Sequence, residues 1–361
     1  MRGSTARPGR RKRLAAAAIT VFVVILEGLV WAGSSSGSQL RREAASEVII
    51  GTWNLCNHAC DEFSEDHIGI DRSIGTFAER VPLMRDRIRS AHVSVAALQE
   101  TNYVDAGRLA SALGPSWRHS EGGMEDGRPV ANVEMIWDSA VWSADDELGQ
   151  ALPSGMFRNA TDDEAYEPDF VNMDGSRGRH RAKTRTTYQE LRLRENGRRY
   201  LFVDAHLFYG DQLPDGRRAD QSAFRLLQAR RIISSAEHLG TADAEPVVIG
   251  DMNTKAGDPG VTPLSAFEAA GLHDNWSEGR NLKPGLSSYN AGGTWRVNLP
   301  IDHAFLPKSM AVEVSDMVNV PEASDHNLVT IRVRVSPPPS DRAPEPPALI
   351  RAGPAPQRPV G

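Results

Sequence analysis

Short runs that are apolar on nearly every residue punctuate the chain, and between them lie stretches in which apolar residues return every third or fourth position. The first kind suits strands buried on both faces. It covers residues 48–55, 93–98, 132–137, 200–207, 246–249, 300–306 and 328–335. The second kind predicts helices: Val81, Met84, Ile88 and Ala91 share a face within 77–91, and Ala219, Ala223, Leu226, Leu227, Ile233 and Ala236 share one within 219–239. A short helix is expected near 263–270. Residues 186–193 alternate as a strand, and Asn196-Gly197 before the run at 200–207 predicts a hairpin. From Ser139 to Lys183 no period is legible, so an irregular insertion is expected there.

The apolar runs end alike. The strand at 246–249 meets Gly250 and then Asp251, Met252 and Asn253; the first strand delivers Asn54, the second Gln99-Glu100, and the run at 200–207 carries His206 near its end. Asp302 lies inside the run at 300–306, and Ser324-Asp325-His326 precedes the last strand. A polar residue at a strand end is an ordinary turn former taken singly. Repeated over the sheets of one domain, carboxylates, amides and imidazoles at strand ends are the groups that hold a hard cation and move protons.

Charge narrows the class. The chain carries 41 bases and 47 acids; without residues 1–33, which hold six bases and one acid, the balance is 35 to 46, or −11. That is not the footprint of a protein that coats nucleic acid, but it is compatible with an enzyme that cuts a polyanion through a bound cation or a local basic loop. Arg177, Arg179, His180, Arg181 and Lys183 would form such a loop.

The bases near the amino terminus, Arg10-Arg11-Lys12-Arg13, precede an apolar stretch from Leu14 to Ala32 and then small residues. This is the order of a signal peptide, and the same stretch would also serve as an uncleaved anchor despite Glu27. Either reading puts the body outside the cytoplasm, secreted or held at a membrane. The expected organisation is 1–33 signal or anchor, 34–46 linker, 47–335 a single domain and 336–361 a disordered Pro-rich tail. The chain's two cysteines, Cys56 and Cys60, are expected to close a small disulfide loop in that oxidising compartment, with a pair of thiols or a metal site with His58 as the alternatives.

The ordered set Thr52-Trp53-Asn54, Gln99-Glu100, Asp204-Ala205-His206-Leu207, Gly250-Asp251-Met252-Asn253, Ile301-Asp302-His303 and Ser324-Asp325-His326 resembles the endonuclease/exonuclease/phosphatase superfamily over residues 47–335. The resemblance implies an α/β fold, a four-layer sandwich of two mixed sheets flanked by helices, with the active site at one edge. It implies Glu100 as principal metal ligand, with Asn54 beside it and Asp325 as a further acid near the metal. It implies Asp251 as the acid that aligns or deprotonates water and Asn253 as the amide that orients it. His206 and His326 would bind the scissile phosphate, and Asp302 would pair with His326. Arg185 and Tyr188 are candidates for the phosphate contact that several members place before the first histidine. The implied cofactor is Mg2+, with Mn2+ as a substitute, and the implied substrate is a phosphodiester. DNA cut with low sequence specificity is the leading reading, and a sphingomyelinase-like activity on a lipid or small phosphoester is the alternative. No protein partner is inferable, and a monomer is expected.

Overall fold

The computed structural model describes residues 45–56, 74–120, 124–125, 128–129, 132–160, 185–208, 222–255, 261–283, 287–289 and 300–338. The amino-terminal segment, the linker up to residue 44, the Arg177 to Lys183 cluster, Cys60 and most of the Pro-rich tail lie outside these residues, and Ser46, expected in the linker, opens β1. In chain order the strands are β1 (Ser46–Asn54), β2 (Val95–Gln99), β3 (Trp117–His119), β4 (Met124–Glu125), β5 (Arg128–Pro129), β6 (Val133–Asp138), β7 (Trp142–Ser143), β8 (Ser154–Arg158), β9 (Arg185–Leu193), β10 (Arg199–His206), β11 (Glu245–Asp251), β12 (His273–Asp274), β13 (Arg280–Asn281), β14 (Asp302–Leu306), β15 (Met310–Val318) and β16 (Leu328–Val335). The helices are α1 (Phe77–Ser90), α2 (Tyr103–Leu113), α3 (Ser222–Leu239) and α4 (Pro263–Ala269). Among the described residues no helix is long and apolar enough to cross a membrane.

Two seven-stranded mixed sheets result, one in the order β13-β15-β16-β1-β2-β6-β3, the other β12-β14-β11-β10-β9-β7 with β8 paired to β9. β2, β6, β10, β11 and β14 read as near-continuous apolar runs because they are buried on both faces. Val95, Ala97, Met135, Phe202, Val247 and Ile249 point between the sheets, whereas the alternate residues Ala96, Leu98 and Ile136 pack under α1 and α2. Leu201, Val203, Val248 and Phe305 pack under α3 and α4. The layers are therefore helix, sheet, sheet, helix.

Local chemistry sets the boundaries. Thr76 and Glu79 close a capping box on α1, and Asn102 caps α2 by accepting the Val104 and Asp105 N–H groups. The Asn196-Gly197 turn forms as expected: β9 and β10 pair antiparallel, and Gly197 takes φ 81°.

The irregular insertion is corrected in part. Between 139 and 160 the chain adds β7 and β8, and β8 pairs with β9 along its full length. Its residues are exposed or half-buried, so no hydrophobic period betrays it, and only pairing with β9 orders it. Gly155 is required there because the Tyr188 hydroxyl lies 2.9 Å from where a Cβ would stand.

One buried acid is unmatched by the fold's apolar logic. Glu134 on β6 is fully buried, takes a hydrogen bond from the Ser120 hydroxyl and leaves Oε1 without a partner. Burial pushes its carboxyl up to about 8, against the lowering by Ser120. Between the ordinary value and about 8 the folded chain holds a proton that the unfolded chain has released, so stability falls as pH rises through that window. Denaturant titrations at about pH 5 and about pH 8 should show a loss on the order of 3 kcal/mol for wild type and a much smaller one for Glu134→Gln. Equal slopes in the two proteins would place the buried proton elsewhere.

Candidate active site

The functional side chains are the last members of the rows that face between the sheets. Along β1 the inward row ends in Thr52 and Asn54, along β2 in Gln99, along β10 in Asp204 and His206, and along β11 in Asp251. Apolar residues fill the middle of each row and polar ones its carboxyl end, where the sandwich opens. β10 and β11 run parallel with His206 opposite Asp251, and β14 runs antiparallel with Asp302 opposite Asp251.

Gly250 makes this juxtaposition possible. It has φ 147°, and a Cβ there would lie 1.9 Å from the Ala205 carbonyl oxygen. Three of the four described non-glycine residues with positive φ sit at the site: Cys56 at 48°, Glu100 at 53° and Asn253 at 47°. A non-glycine residue held there costs about 1–3 kcal/mol, which the surrounding hydrogen bonds must overcome.

Those bonds converge on Asp251, which is 2% exposed. Its Oδ1 accepts the Asn253 backbone N–H at 2.9 Å, and its Oδ2 accepts Asn54 Nδ2 at 3.2 Å. His206 Nε2 lies 3.6 Å and His326 Nε2 3.9 Å from the same Oδ2. Asn253 is fixed by its own Nδ2, which donates to the Leu207 carbonyl at 2.9 Å. Asn54 Nδ2 also reaches Glu100 Oε1 at 3.4 Å, while Asn54 Oδ1 accepts the Cys56 N–H at 3.0 Å. The amide nitrogen of Asn54 thus faces the carboxylates, and its oxygen is committed to the turn.

His326 Nδ1 donates to Asp302 Oδ2 at 2.9 Å. Burial alone would lower this histidine, but Asp302 outweighs it, helped by Asp325 and Asp251, and His326 is pushed up to about 10. Asp251 is pushed up to about 7, first by burial and then by the charge of Asp302, against the lowering by His326. Asp325 is also raised: burial dominates, His326 opposes it, and the nearby Glu100 carboxylate adds to it.

Ser324 ties the two halves of the rim together. Its hydroxyl donates to the Asn54 carbonyl at 2.5 Å and accepts the His326 N–H at 3.0 Å. Sequence reasoning placed Ser324 only as a neighbour in a motif, and it missed Tyr289 and Ser288 altogether. The Tyr289 ring meets His326 edge-on at 4.9 Å, and Ser288 Oγ accepts the Asp302 N–H at 3.1 Å. Both lie in a loop whose Gly, Asn and Ser content gives no period to read.

One candidate, Tyr188, falls away from this cluster, and Arg185 does not. Tyr188 stands on the helix-facing side of β9, packed against Phe157 and the α3 layer, because it lies opposite Val203 and not opposite the polar end of β10. Arg185 opens β9 on the same face as Thr187, two residues past the Thr187–Asp204 pair and so toward the level of His206, with Arg158 of β8 directly across from it. No free cysteine occurs among the described residues, and Cys56 is disulfide-bonded; Cys60, its expected partner, lies outside them.

The donor set fits a hard divalent cation. Glu100 and Asp325 are half-buried carboxylates whose charges act on one another, and Asp302 Oδ1 is buried with no hydrogen-bond partner. Ligand atoms of Asp251, Asp302 and His326 also lie within 4.8 Å of one another. In that trio the imidazole is held protonated by Asp302 and so lacks a lone pair for a metal, which favours the oxygen ligands on the Glu100 side.

Residues 51–326 match the profile of the Endonuclease/Exonuclease/phosphatase family. The chain belongs to that family. No curated relative matches it. Among solved structures it is similar to an endonuclease/exonuclease/phosphatase family protein from Bacteroides thetaiotaomicron (TM-score 0.60, 17% identity, 81% of this chain and 99% of that one). It is similar also to a mannosyl-6-phosphatase of the same organism (TM-score 0.57, 17% identity, 79% and 99%). A third likeness is to TDP2 of D. rerio, solved with a single-strand DNA product (TM-score 0.51, 14% identity, 80% and 99%). These likenesses show the deoxyribonuclease-like α/β sandwich. Endonuclease/exonuclease/phosphatase proteins hydrolyse phosphoester bonds, generally with a divalent metal, and this chain is an enzyme of that class.

The Gly250 contact yields a direct test. Gly250→Ala should lower the melting temperature sharply, by the equivalent of roughly 3 kcal/mol or more, because either the β10–β11 ladder or the left-handed backbone must yield. A melt within a degree or so of wild type would show that the strands have room to part.

Proposed function

We propose that this endonuclease/exonuclease/phosphatase enzyme is a magnesium-dependent phosphodiesterase that cuts DNA with low sequence specificity, acting outside the cytoplasm. The observation that carries the reading is the convergence of Asn54, Glu100, His206, Asp251, Asn253 and the Asp302–His326 pair on one rim of the sandwich. Glu100, with Asp325, would hold the cation, and Asn54 would steady Glu100 against Asp251. A bound magnesium or manganese ion supplies charge stabilisation on the phosphoryl oxygens.

The protein's own groups divide the proton work. Asp251, poised at about 7, takes the proton of the attacking water, which Asn253 orients. His326, held protonated by Asp302, donates a hydrogen bond to a phosphoryl oxygen, and His206 stands on the other side of Asp251 to do the same.

DNA as substrate is supported by the basic cluster at Arg177 to Lys183 and by the fold shared with TDP2. Export is supported by the basic-then-apolar order of residues 10–32. A second reading, hydrolysis of a lipid or small phosphoester, is favoured by the acidic body and by the fold shared with a mannosyl-6-phosphatase.

Supercoiled DNA should be nicked by the purified protein in magnesium or manganese and spared in chelator, and Asp251→Ala should slow nicking by about 10²–10⁴-fold. Inert wild type on DNA with metal-dependent release of phosphocholine from sphingomyelin, or of phosphate from a sugar phosphate, would transfer the chemistry to the second reading.

The pH profile tests the division of roles. Activity should climb as Asp251 ionises, with an apparent pKa no higher than about 7 once a cation is bound, and should persist until His326 deprotonates near 10. Asp302→Asn removes the carboxylate that holds His326 charged, so the alkaline limb should move down toward neutrality. An unmoved alkaline limb in that variant would sink the role given to His326.

A further inference from the structure

We propose that Arg80 is a positioning residue of the catalytic centre, clamping the Asn54 turn to the Asp325–His326 loop. This inference rests on the function proposed above. Arg80 lies in the first turns of α1 and is 1% exposed, an unusual place for a guanidinium. Its Nη1 donates to the Leu55 carbonyl at 2.7 Å and to the Ala323 carbonyl at 2.6 Å. Its Nη2 reaches the Cys56 carbonyl at 3.3 Å, its Nε reaches the Gly75 carbonyl at 3.2 Å, and its Cζ lies 5.6 Å from the Phe77 ring centroid.

The positions of those carbonyls give the arginine its role. Leu55 and Cys56 follow Asn54 directly, and Ala323 precedes the Ser324-Asp325-His326 run. The two segments come from opposite ends of the domain, flanking β1 and β16, whose antiparallel pairing stops at Thr52–Val329 and leaves the segments beyond it to be tied by side chains. Ser324 Oγ joins them at the Asn54 carbonyl, and Trp53 Nε1 donates to the His326 carbonyl at 3.0 Å. Arg80 adds the third point of attachment, which a hinge about the other two would need in order to be rigid. Glu100 and Asp325 must keep their spacing to share one cation, with Asn54 steadying Glu100, and the left-handed Cys56 must be held against its own preference.

Only a planar fork can serve three segments at once. A lysine ammonium at this depth would reach one or two of the carbonyls and strand the rest. The loss would then appear in metal affinity and in turnover more than in substrate binding, since the segments Arg80 joins carry Asn54, Asp325 and His326 and not the Arg177 to Lys183 cluster proposed to meet the substrate.

The decisive experiment compares wild type, Arg80→Lys and Arg80→Ala. Manganese binding is read by calorimetry, which needs no turnover, and kcat and KM are read on DNA, with melting curves to count folded protein. Arg80→Lys should melt cooperatively, bind manganese ~10-fold more weakly and lose ~10- to 100-fold in kcat, with KM little changed. Millimolar guanidinium should return part of the lost kcat to Arg80→Ala and none to Asp251→Ala.

Metal affinity and kcat of folded Arg80→Lys within about twofold of wild type would overturn the proposal. So would a fall in melting temperature with turnover per folded molecule intact, or failure of both variants to fold, since each leaves Arg80 a scaffold residue only. If wild type cuts no phosphodiester, the reading of function fails instead, and the calorimetric arm still decides whether Arg80 sets the cation site.

Discussion

Asp204 is the constraint on which the site depends. Its carboxylate is fully buried between the sheets, and it accepts the Leu98 N–H at 2.9 Å and Gln99 Nε2 at 2.7 Å, while Gln99 Oε1 accepts the Thr52 hydroxyl at 3.1 Å. One side chain of the second sheet is thereby bonded twice to β2 of the first and, through Gln99, linked to Thr52 of β1, directly beneath the rim. Thr187 repeats the device by donating to the Val133 carbonyl at 2.7 Å. Apolar packing between sheets is tolerant of sliding, whereas a carboxylate with paired donors is not. Glu100 follows Gln99 and His206 follows Asp204 by two residues, so fixing this layer fixes the distance between the two halves of the active site. The cost is a buried acid raised well above its ordinary value, chiefly by burial, with Gln99 and Leu98 opposing and Glu134 adding to the rise.

Above that layer the electrostatics are arranged by what each carboxylate is given. Asp302 holds an imidazole, Asp251 holds an amide N–H and the Asn54 amide, and Glu100 and Asp325 are left partly open to solvent. Four acids in one rim repel one another, and the protein relieves only part of that with His326. The remainder is the attraction available to a divalent cation. A second buried histidine shows that pairing alone does not make a catalytic group. His303 donates to Asp274 at 3.0 Å and to the Pro300 carbonyl at 3.1 Å, so both ring nitrogens are spent on the fold and it steadies the turn into Asp302.

Much of this was legible in the sequence. Strands buried on both faces leave an unmistakable apolar run, and the abrupt change to Asn54, Glu100, His206 and Asp251 marks where each run reaches the rim. The elements that escaped notice did so for stated reasons. β8 has no buried row to read, and β15 has a register shift between Val312 and Val314 that breaks its alternation. α2 was missed although Asn102 caps it and Ala106, Leu109, Ala110 and Leu113 are its buried face, a helical spacing that was there to be found. Tyr188 was a candidate by its place before the first histidine, but period-two alternation turns it away from the site, as counting from Thr187 would have shown.

The same alternation explains why the chemistry is read more securely than the substrate. Inward-facing rows are dictated by two sheets at once, so a residue that ends one has few places to be: Asn54, His206, Asp251 and Asp302 end such rows, and Ser324 and Arg80 lace the loop that carries His326 to them. Connections between strands answer to no such pair of packing partners, which leaves loops free to vary in what they bind. A fold of this kind therefore fixes bond cleavage through its sheets and leaves recognition to its loops, and a change of substrate can come about without disturbing a single strand.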